Sequence, residues 1–319
     1  MSAVLITSAG RRVELLNAFR SSAEAIDPAM RILACDLDVE WSAACHMADQ
    51  AFAVPRANNP DYIPALLDIC RRQAVKLLVP TIDTELQALA DARDEFAAIG
   101  THVSVGHPDF VRIARDKQET ARVLARLGLN TPPSFTPEEV REAPGSVPWP
   151  LIAKPNGGSA GRNISVVNDV SQLPDTSGEA FVLQELLKGP EHTINMYFDL
   201  GGKARTVIPH RRAQIRAGEV EKGVTERNEA LCQAGWRLAE QLPGARGVIC
   251  FQSILTERGP VVFEINARFG GGYPLAHAAG ATFSTWLLQE ALGLECEAHD
   301  GWTEGMRMMR YDAAVFEES

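Results

Sequence analysis

The first 110 residues alternate short apolar runs with segments whose apolar residues recur at helical spacing. The helical spacing covers Val13–Ser22, Tyr62–Gln73 and Glu85–Ala97. The apolar runs are Val4–Thr7, Ile32–Asp36, Ala51–Val54, Lys76–Pro80 and Thr101–Val105. Short continuous apolar runs separated by helices are typical of a parallel sheet with both faces covered. The pattern predicts an N-terminal doubly wound α/β unit.

Polar side chains follow these predicted strands at their carboxyl ends, where ligands bind in such sheets. Gly10 and the arginines Arg11 and Arg12 follow the first run, and Asp83 and Glu85 follow a later one. The Gly10 turn lacks the G-x-G-x-x-G fingerprint, which disfavours an NAD site. A turn with arginines that opens a helix can hold a carboxylate or phosphate. The alternative is a tight turn with helix capping and solvated surface charge.

Beyond residue 110 the pattern changes to a charged helix over Asp109–Leu127 and then to strands. A proline-rich connection over Pro144–Pro150 precedes them. The strand-like runs are Leu151–Lys154, Asn163–Val167, Phe181–Leu186, Glu191–Leu200 and a hairpin of Val248–Leu255 with Pro260–Asn266. Helical spacing returns at Arg227–Gln241 and, after a glycine-rich loop, at Phe283–Leu292. A mixed α+β part therefore follows the parallel one.

The C-terminal hairpin carries the densest group of candidate chemical residues. If its turn centres on Arg258, Gln252 lies opposite Glu264. Period-two alternation then places Glu264, Asn266 and Arg268 on one face. One carboxylate with neutral oxygens is what a phosphate-bound Mg²⁺ prefers, and Arg268 would stabilise charge on a transferred phosphoryl group. The alternative is an ordinary hairpin with a polar outer face.

Two further segments suit a nucleotide. Lys154 ends a predicted strand and precedes a tip of small residues, Pro155–Gly161, that could close over phosphates. The strand exit Val182–Glu191 could meet adenine through its backbone, with Glu191 accepting hydrogen bonds from ribose hydroxyls. The alternatives are a flexible hairpin turn and a plain strand exit.

Net charge, cysteine spacing and the length of apolar runs limit the kinds of partner that we expect the protein to bind. The formal net charge of −10 argues against nucleic acid, which demands clustered cations. Six cysteines without C-x-x-C spacing indicate free thiols in a reducing cytoplasm. No apolar run approaches the roughly 18 residues of a membrane helix, and the N-terminus does not read as a signal peptide. We expect a cytoplasmic protein without nucleic-acid or membrane partners.

Taken together, these segments resemble the ATP-grasp superfamily, in the branch of single-unit ligases similar to the synthetase units of carbamoyl-phosphate synthase large subunits. The resemblance runs over essentially the whole chain in the family's order. Its motifs are Asp116-Lys117 ahead of Gly128 and Thr131-Pro132, Lys154-Pro155 with the glycine tip, Gln184-Glu185 with Gly189 and Glu191, and Gln252 with Glu264-x-Asn266-x-Arg268.

The resemblance implies a fold and a set of site residues. The expected ATP-grasp fold has an N-terminal Rossmann-like domain at 1–110, a small lid subdomain at 111–185 and a C-terminal α+β subdomain at 186–319. Arg268 and Lys154 would be catalytic. The residues expected at ATP are Lys117, Lys154, Gly158, Ser159, Gly161, Gln184, Glu185, Leu186 and Glu191, and those at Mg²⁺ or Mn²⁺ are Gln252, Glu264 and Asn266.

The implied function is an ATP-dependent carboxylate–amine ligase that forms an acyl phosphate and releases ADP and phosphate. We expect small carboxylate and amine substrates near Arg11, Asp83, Glu85, Gly271 and Gly272, and a homodimer as the default assembly. The alternatives are kinase-like phosphorylation of carbamate or another small carboxylate, and a non-catalytic ATP-binding module. The chain is much shorter than a full carbamoyl-phosphate synthase and shows no glutaminase segment, which disfavours that product.

One cation of the expected phosphate site has four candidates in the sequence. The family's additional basic residue at the phosphates is one of Arg211, Arg212, Arg216 and Lys222, on a loop or strand pair.

Overall fold

Three β-sheets organise the computed structural model, which describes residues 2–158 and 163–317. The first is a five-stranded parallel sheet with strand order β3-β2-β1-β4-β5. Its elements are β1 (Ala3–Thr7), α1 (Val13–Ile26), β2 (Arg31–Asp36), α2 (Ala43–Met47), β3 (Gln50–Ala53), α3 (Tyr62–Gln73), β4 (Val75–Val79), α4 (Leu86–Asp91), α5 (Arg93–Ala98) and β5 (His102–Val103). All five residues of β1 are buried, as expected for a central strand covered on both faces.

The second sheet is antiparallel and four-stranded, with strand order β6-β9-β7-β8. Two helices lead into it and a third helix lies within it. The elements are α6 (Pro108–Arg115), α7 (Lys117–Arg126), β6 (Ser134–Phe135), α8 (Pro137–Glu142), β7 (Leu151–Pro155), β8 (Ser165–Val167) and β9 (Phe181–Glu185). Its own apolar cluster is small, with Val140, Leu151 and Leu183 at the centre.

The third sheet is antiparallel and six-stranded, with order β14-β13-β10-β11-β12-β15. Its elements are β10 (Glu191–Phe198), β11 (Ala204–Arg216), β12 (Glu219–Thr225), α9 (Glu229–Gln241), β13 (Gly247–Thr256), β14 (Gly259–Asn266), α10 (Tyr273–Ala278), α11 (Phe283–Ala291) and β15 (Arg307–Met309). The predicted combination of a doubly wound parallel sheet with α+β parts is confirmed. The boundaries at residues 110 and 185 stay predictions.

Two of the predicted helices are interrupted. The segment Asp109–Leu127 forms α6 and α7, because Asp116 adopts an extended backbone and accepts a hydrogen bond from the Glu119 N–H at 2.9 Å. This N-cap starts a new helix at Lys117. The segment Glu85–Ala97 likewise divides into α4 and α5. The predicted loop before Phe283 contains α10, and the stretch holding the four open cations forms the long strands β11 and β12.

The apolar core joins the first and third sheets. One cluster contains Leu5 and Leu78 of the parallel sheet together with Phe251 and Ile265 of the C-terminal hairpin. A second cluster packs α1 against α10 and α11, and the rings of Phe19 and Phe269 meet edge to face at 5.8 Å. This packing holds the carboxyl ends of the parallel strands against the polar face of the hairpin. No helix in the described ranges combines the length and apolarity needed to cross a bilayer.

Candidate active site

A cavity of about 400 Å³ lies where the three sheets meet. Its wall comes from the carboxyl end of the parallel sheet, from the four-stranded sheet and from the face of the six-stranded sheet. The cavity brings together most of the site residues expected from sequence: Arg11, Asp83, Lys117, Lys154, Gly158, Gln184, Glu185, Leu186, Glu191, Gln252, Glu264, Asn266, Arg268, Gly271 and Gly272. Ser159 and Gly161 lie outside the described residues.

The hairpin forms the oxygen-rich part of the wall. Gln252 pairs with Glu264 across β13 and β14, as predicted, but only because the register shifts by one residue between Gln252 and the turn. Cys250 pairs with Asn266 one alternation further along. With its amide turned to satisfy both neighbours, Gln252 donates to Glu264 Oε2 at 3.1 Å and accepts from Arg212 at 3.2 Å. One carboxylate and two amides therefore face the same space.

Two lysines enter the cavity from different elements. Lys117 opens α7, and its ammonium donates to the Gly158 carbonyl at 2.6 Å and lies 3.9 Å from Glu264 Oε1. The Lys154 ammonium donates to Gln184 Oε1 at 3.3 Å and lies 4.4 Å from the centre of the Phe263 ring. Burial lowers the pKa of Lys154 to about 8, which Glu264 only partly offsets. An anion beside Lys154 would restore the charge that burial disfavours.

The strand exit from β9 to β10 forms another side of the cavity. Glu185 accepts two hydrogen bonds from the Arg258 guanidinium, at 2.8 and 2.9 Å. The Leu186 N–H donates to the Pro150 carbonyl at 3.4 Å, and Glu191 forms an ion pair with Arg212. The polar groups of this edge are held in place by neighbours from other elements.

Among the four cations left open by the sequence, Arg212 lines the cavity. Its side chain is 5% exposed, and its Nε has no hydrogen-bond partner within the described part of the chain. Arg211 is turned to Glu226, with 2.7 Å between Nε and Oε1, and Arg216 is paired with Asp312 at 2.8 Å. Lys222 is exposed on β12.

Arg268 connects the hairpin to the parallel sheet. Its Nη2 donates to Asp83 Oδ2 at 2.8 Å and to Asn266 Oδ1 at 3.0 Å. The two side chains of this ion pair are 14% and 8% exposed. Burial opposes the charge of Arg268, but the Asp83 carboxylate outweighs it and holds the pKa of Arg268 above its usual range. The reciprocal attraction outweighs burial at Asp83 and lowers the pKa of that carboxyl.

Glu85, predicted to contact the substrate, lies in the protein interior instead. Glu85 is fully buried, and the structure does not place it on the cavity wall. Its Oε1 accepts from the N–H groups of Thr81 and Ile82 at 2.8 and 3.0 Å, and its Oε2 accepts from Ser8 and Tyr62. The carboxylate closes the turn after β4, which is a structural role.

Arg12, Glu219 and Arg310 form a polar group at the cavity edge that sequence reasoning only partly anticipated. Arg12 lies 2.8 Å from Glu219 Oε1, Arg310 lies 3.0 Å from Oε2, and Arg11 lies 3.5 Å from the same oxygen. The pair Arg11-Arg12 in a helix-opening turn was the available signal. Nothing local marks Arg310, because a distant strand pairing brings it to the site.

Comparison with known families matches two parts of the chain. Residues 4–104 match the model of a PylC-like N-terminal domain, and residues 114–272 match that of an ATP-grasp domain. The ATP-grasp match includes Lys117 and Lys154, the segment between β9 and β10, and the hairpin of β13 and β14 that carries the expected metal ligands.

Individual relatives match parts of the chain at 26–27% sequence identity. Phosphoribosylamine–glycine ligase of Methanocorpusculum labreanum is 27% identical over 243 residues, which cover 65% of this chain and 55% of the relative. The carbamoyl phosphate synthase large chain of Methanoculleus marisnigri is 26% identical over 123 residues, 38% of this chain and 11% of the relative. The matched region thus spans about half, or less, of the relatives' length.

Solved structures show the same fold at low identity. Biotin carboxylase from Campylobacter jejuni has a TM-score of 0.76 at 14% identity, over 96% of this chain and 74% of that one. N5-carboxyaminoimidazole ribonucleotide synthetase from Thermotoga maritima has a TM-score of 0.67 at 15% identity, over 96% and 79%. L-amino acid ligase from Bacillus licheniformis has a TM-score of 0.70 at 16% identity, over 92% and 74%.

Proposed function

Because the chain belongs to the ATP-grasp superfamily, we propose that it is a carboxylate–amine ligase that uses Mg²⁺-ATP and releases ADP and phosphate. The names of its relatives support carbon–nitrogen ligation, since they include phosphoribosylamine–glycine ligase. The proposed domains are 1–110, 111–185 and 186–319. A homodimer and a cytoplasmic location stay predictions.

One observation carries the proposal: the oxygens of Glu264 and Asn266 face the same cavity as Lys154 and Arg268. This is the charge pattern that phosphoryl transfer requires, because the metal and the cations must together neutralise the developing negative charge. A cavity built for an uncharged ligand would gain nothing from burying several cations.

Gln252, Glu264 and Asn266 are the residues that would hold Mg²⁺ or Mn²⁺. The donor set fits an ion that takes its remaining ligands from phosphates and water, since Mg²⁺ is usually bound through one or two carboxylates plus substrate phosphates. No cluster of three or more His, Cys, Asp or Glu side chains in the described ranges would form an all-protein metal cage. The metal is therefore expected to bind together with the nucleotide.

The nucleotide is assigned to the two lysines and the strand exit. Lys117 and Lys154 would bind phosphates, with Gly158 at the lid. Gln184, Glu185 and Leu186 would border the adenine, and Glu191 would meet the ribose. Arg212 is the additional cation at the phosphates, because it lines the cavity with an unpartnered Nε among the described residues.

The proposed reaction joins a carboxylate to an amine. When bound, Mg²⁺-ATP supplies the γ-phosphoryl group that converts the substrate carboxylate into an acyl phosphate, which the amine then attacks with loss of phosphate. Arg268 stabilises the negative charge on the transferred group, and Asp83 orients the Arg268 guanidinium through the 2.8 Å contact. Lys154 lines the same cavity and would act on the same phosphoryl group, and the residues around Gly271 and Gly272 would face the substrate.

A kinase-like phosphorylation of carbamate or another small acid is the second candidate. The local match to a carbamoyl phosphate synthase large chain favours it. That reaction yields a phosphorylated product and needs no amine, whereas a non-catalytic module binds ATP without turnover.

The test is Mg²⁺-dependent release of ADP and phosphate against pooled carboxylates and amines, with mass spectrometry of the products. A ligase requires both an acid and an amine and gives their condensed mass. Release with an acid alone would indicate the kinase-like reaction. Tight ATP binding without release from any pool would reject catalysis with these substrate classes.

Glu264→Gln is the diagnostic variant, because it keeps the side-chain shape and removes the carboxylate. We expect turnover to fall by at least about 100-fold, beyond the loss typical of residues that only support a metal ligand. Glu257→Gln, in the exposed turn of the same hairpin, is the matched control and should leave turnover unchanged.

A further inference from the structure

Three arginines surround one glutamate at the edge of the cavity. Arg11 and Arg12 follow β1, Glu219 begins β12, and Arg310 follows β15. The nitrogen–oxygen distances to Glu219 are 2.8 Å from Arg12, 3.0 Å from Arg310 and 3.5 Å from Arg11. These four residues, called here the arginine cluster, come from three separate parts of the sequence.

The arginine cluster carries more positive charge than its own carboxylate can neutralise. Three guanidinium groups and one carboxylate leave two positive charges, while Arg12 and Glu219 are only 21% and 20% exposed. Burial lowers the pKa of Arg12; Glu219 opposes this, but Arg268, Arg310 and Arg11 lower it further. A further anion would relieve this repulsion, because the partial burial of Arg12 and Arg310 strengthens their charge interactions, whereas Arg11 is 69% exposed.

The arginine cluster is anchored from two sides. The Arg310 N–H donates to the Glu221 carbonyl at 2.9 Å, and its guanidinium donates to the Gly271 carbonyl. A Cβ atom at Gly271 would lie 2.5 Å from Glu219 Cδ, so the loop can approach the carboxylate only because this residue is glycine. Arg310 is therefore held beside the glycine loop of the cavity.

We propose that Arg11, Arg12 and Arg310 form a subsite for an anionic group, a carboxylate or a phosphate, on a substrate whose reacting end lies at Arg268. Glu219 contacts all three guanidinium groups and competes with the incoming anion. Guanidinium forks suit either anion through paired hydrogen bonds. The inference rests on the proposed ligase function and names the chemistry of its substrate. Arg310 lies beyond the matched ATP-grasp segment, so the C-terminal strand supplies part of the specificity.

The first test compares Arg310→Gln with Arg307→Gln. Arg307 is exposed and lies on β15, the short strand that directly precedes Arg310. For an acid–amine pair that the wild type condenses, Arg310→Gln should raise the KM of the anionic substrate by about tenfold or more, the loss expected for a charged hydrogen bond. The kcat and the KM of ATP should change less than about threefold, and Arg307→Gln should behave as wild type.

Two further variants keep the test decisive if Arg310→Gln disturbs β15. Arg12→Gln should raise the same KM without involving that strand. Glu219→Gln should lower it, because the competing carboxylate is gone. An increase of KM in Glu219→Gln, or unchanged KM values in both arginine variants, would overturn the subsite.

The source of the anion is decided with matched amines: glycine, glycinamide and phosphoethanolamine, with larger amino acids and their amides as a second set. A requirement for the free carboxylate identifies a carboxylate ligand, and a requirement for the phosphoryl group identifies a phosphate ligand. The same comparison is made for the acid substrate, with diacids against their monoamides. Equal turnover with the neutral and the anionic substrates in both comparisons would overturn the subsite while leaving the ligase intact. Absence of ADP release from every pair would instead reject the ligase function.

Discussion

At the residue scale, Lys154 shows how burial and function oppose each other. Its ammonium lies between Gln184 and the face of Phe263, and burial lowers its pKa to about 8. The lysine thus loses its proton more easily than an exposed lysine, whose pKa is about 10.4. The nearby phosphates of a nucleotide would raise the pKa of Lys154 again, so that the lysine keeps its proton.

This leads to a pH-dependent prediction for nucleotide affinity. Below about pH 8, Lys154 is protonated in the free protein. Above that pH, Lys154 must take up a proton when ADP binds. The affinity for ADP should therefore weaken as the pH rises. We expect the Kd of ADP, measured by calorimetry in EDTA, to increase by up to about tenfold for each pH unit above about 8.

Lys154→Met should weaken ADP binding at neutral pH and flatten this rise. Lys188→Met, which removes an exposed lysine from the loop after β9, should retain both the affinity and the slope. The same slope in Lys154→Met as in the wild type would assign the titration to another group.

At the element scale, the crossing from β9 to β10 depends on a glycine. Gly189 has a φ of +142°, and a Cβ atom there would lie 2.2 Å from the Leu255 carbonyl oxygen. The next residue accepts the Leu255 N–H at 3.0 Å. The strand exit that borders the cavity is therefore pressed directly against β13, with no room for a side chain.

Gly189→Ala should reduce the free energy of unfolding by about 2–4 kcal/mol, because backbone strain and overlap with fixed backbone add together. Gly259→Ala isolates the first effect, since Gly259 has a φ of +89° with nothing within 4 Å of a Cβ atom. It should cost about 1 kcal/mol. Urea unfolding of both variants makes the comparison; equal losses would show that the contact with Leu255 is relieved by a small shift.

At the scale of the whole molecule, two poorly solvated histidines should make stability depend on pH. Burial lowers the pKa of His210 to about 3 and that of His102 to about 4. An unfolded histidine has a pKa of about 6.5, so the unfolded chain binds more protons between these values. The stability is complete above about pH 6.5 and is lost as the pH falls toward the folded-state values.

We expect the free energy of unfolding to fall by roughly 1 kcal/mol per histidine and pH unit between about pH 6 and 5. Urea denaturation at several pH values measures the slope, and His102→Gln should reduce it by roughly 1 kcal/mol per pH unit, the contribution of one histidine; burial also lowers the pKa of His277, which adds to the slope. A slope in His102→Gln as steep as in the wild type would show that other groups control acid unfolding. His210 is fully buried beside Asn195, so its replacement would also disturb packing.

The register shift beside Gln252 could not be read from the sequence, although it is what brings Gln252 opposite Glu264. Local alternation was nevertheless enough to place Glu264 and Asn266 on one face of β14. The parallel sheet was predictable for the same reason, because apolar runs and helical spacing can be recognised within short stretches of sequence. The order of motifs that identified the superfamily is likewise a property of the sequence alone.

Tertiary packing decided the rest. Glu85 follows its strand just as Asp83 does, yet Glu85 is buried in a turn while Asp83 meets Arg268. Arg212 was one cation among four until β11 and β12 fixed which of them faces the cavity. Arg310 reaches the site only because β15 adds an edge to the six-stranded sheet. Local pattern fixes which face of an element a side chain occupies, whereas the partner across a distant pairing depends on the packing of the whole chain.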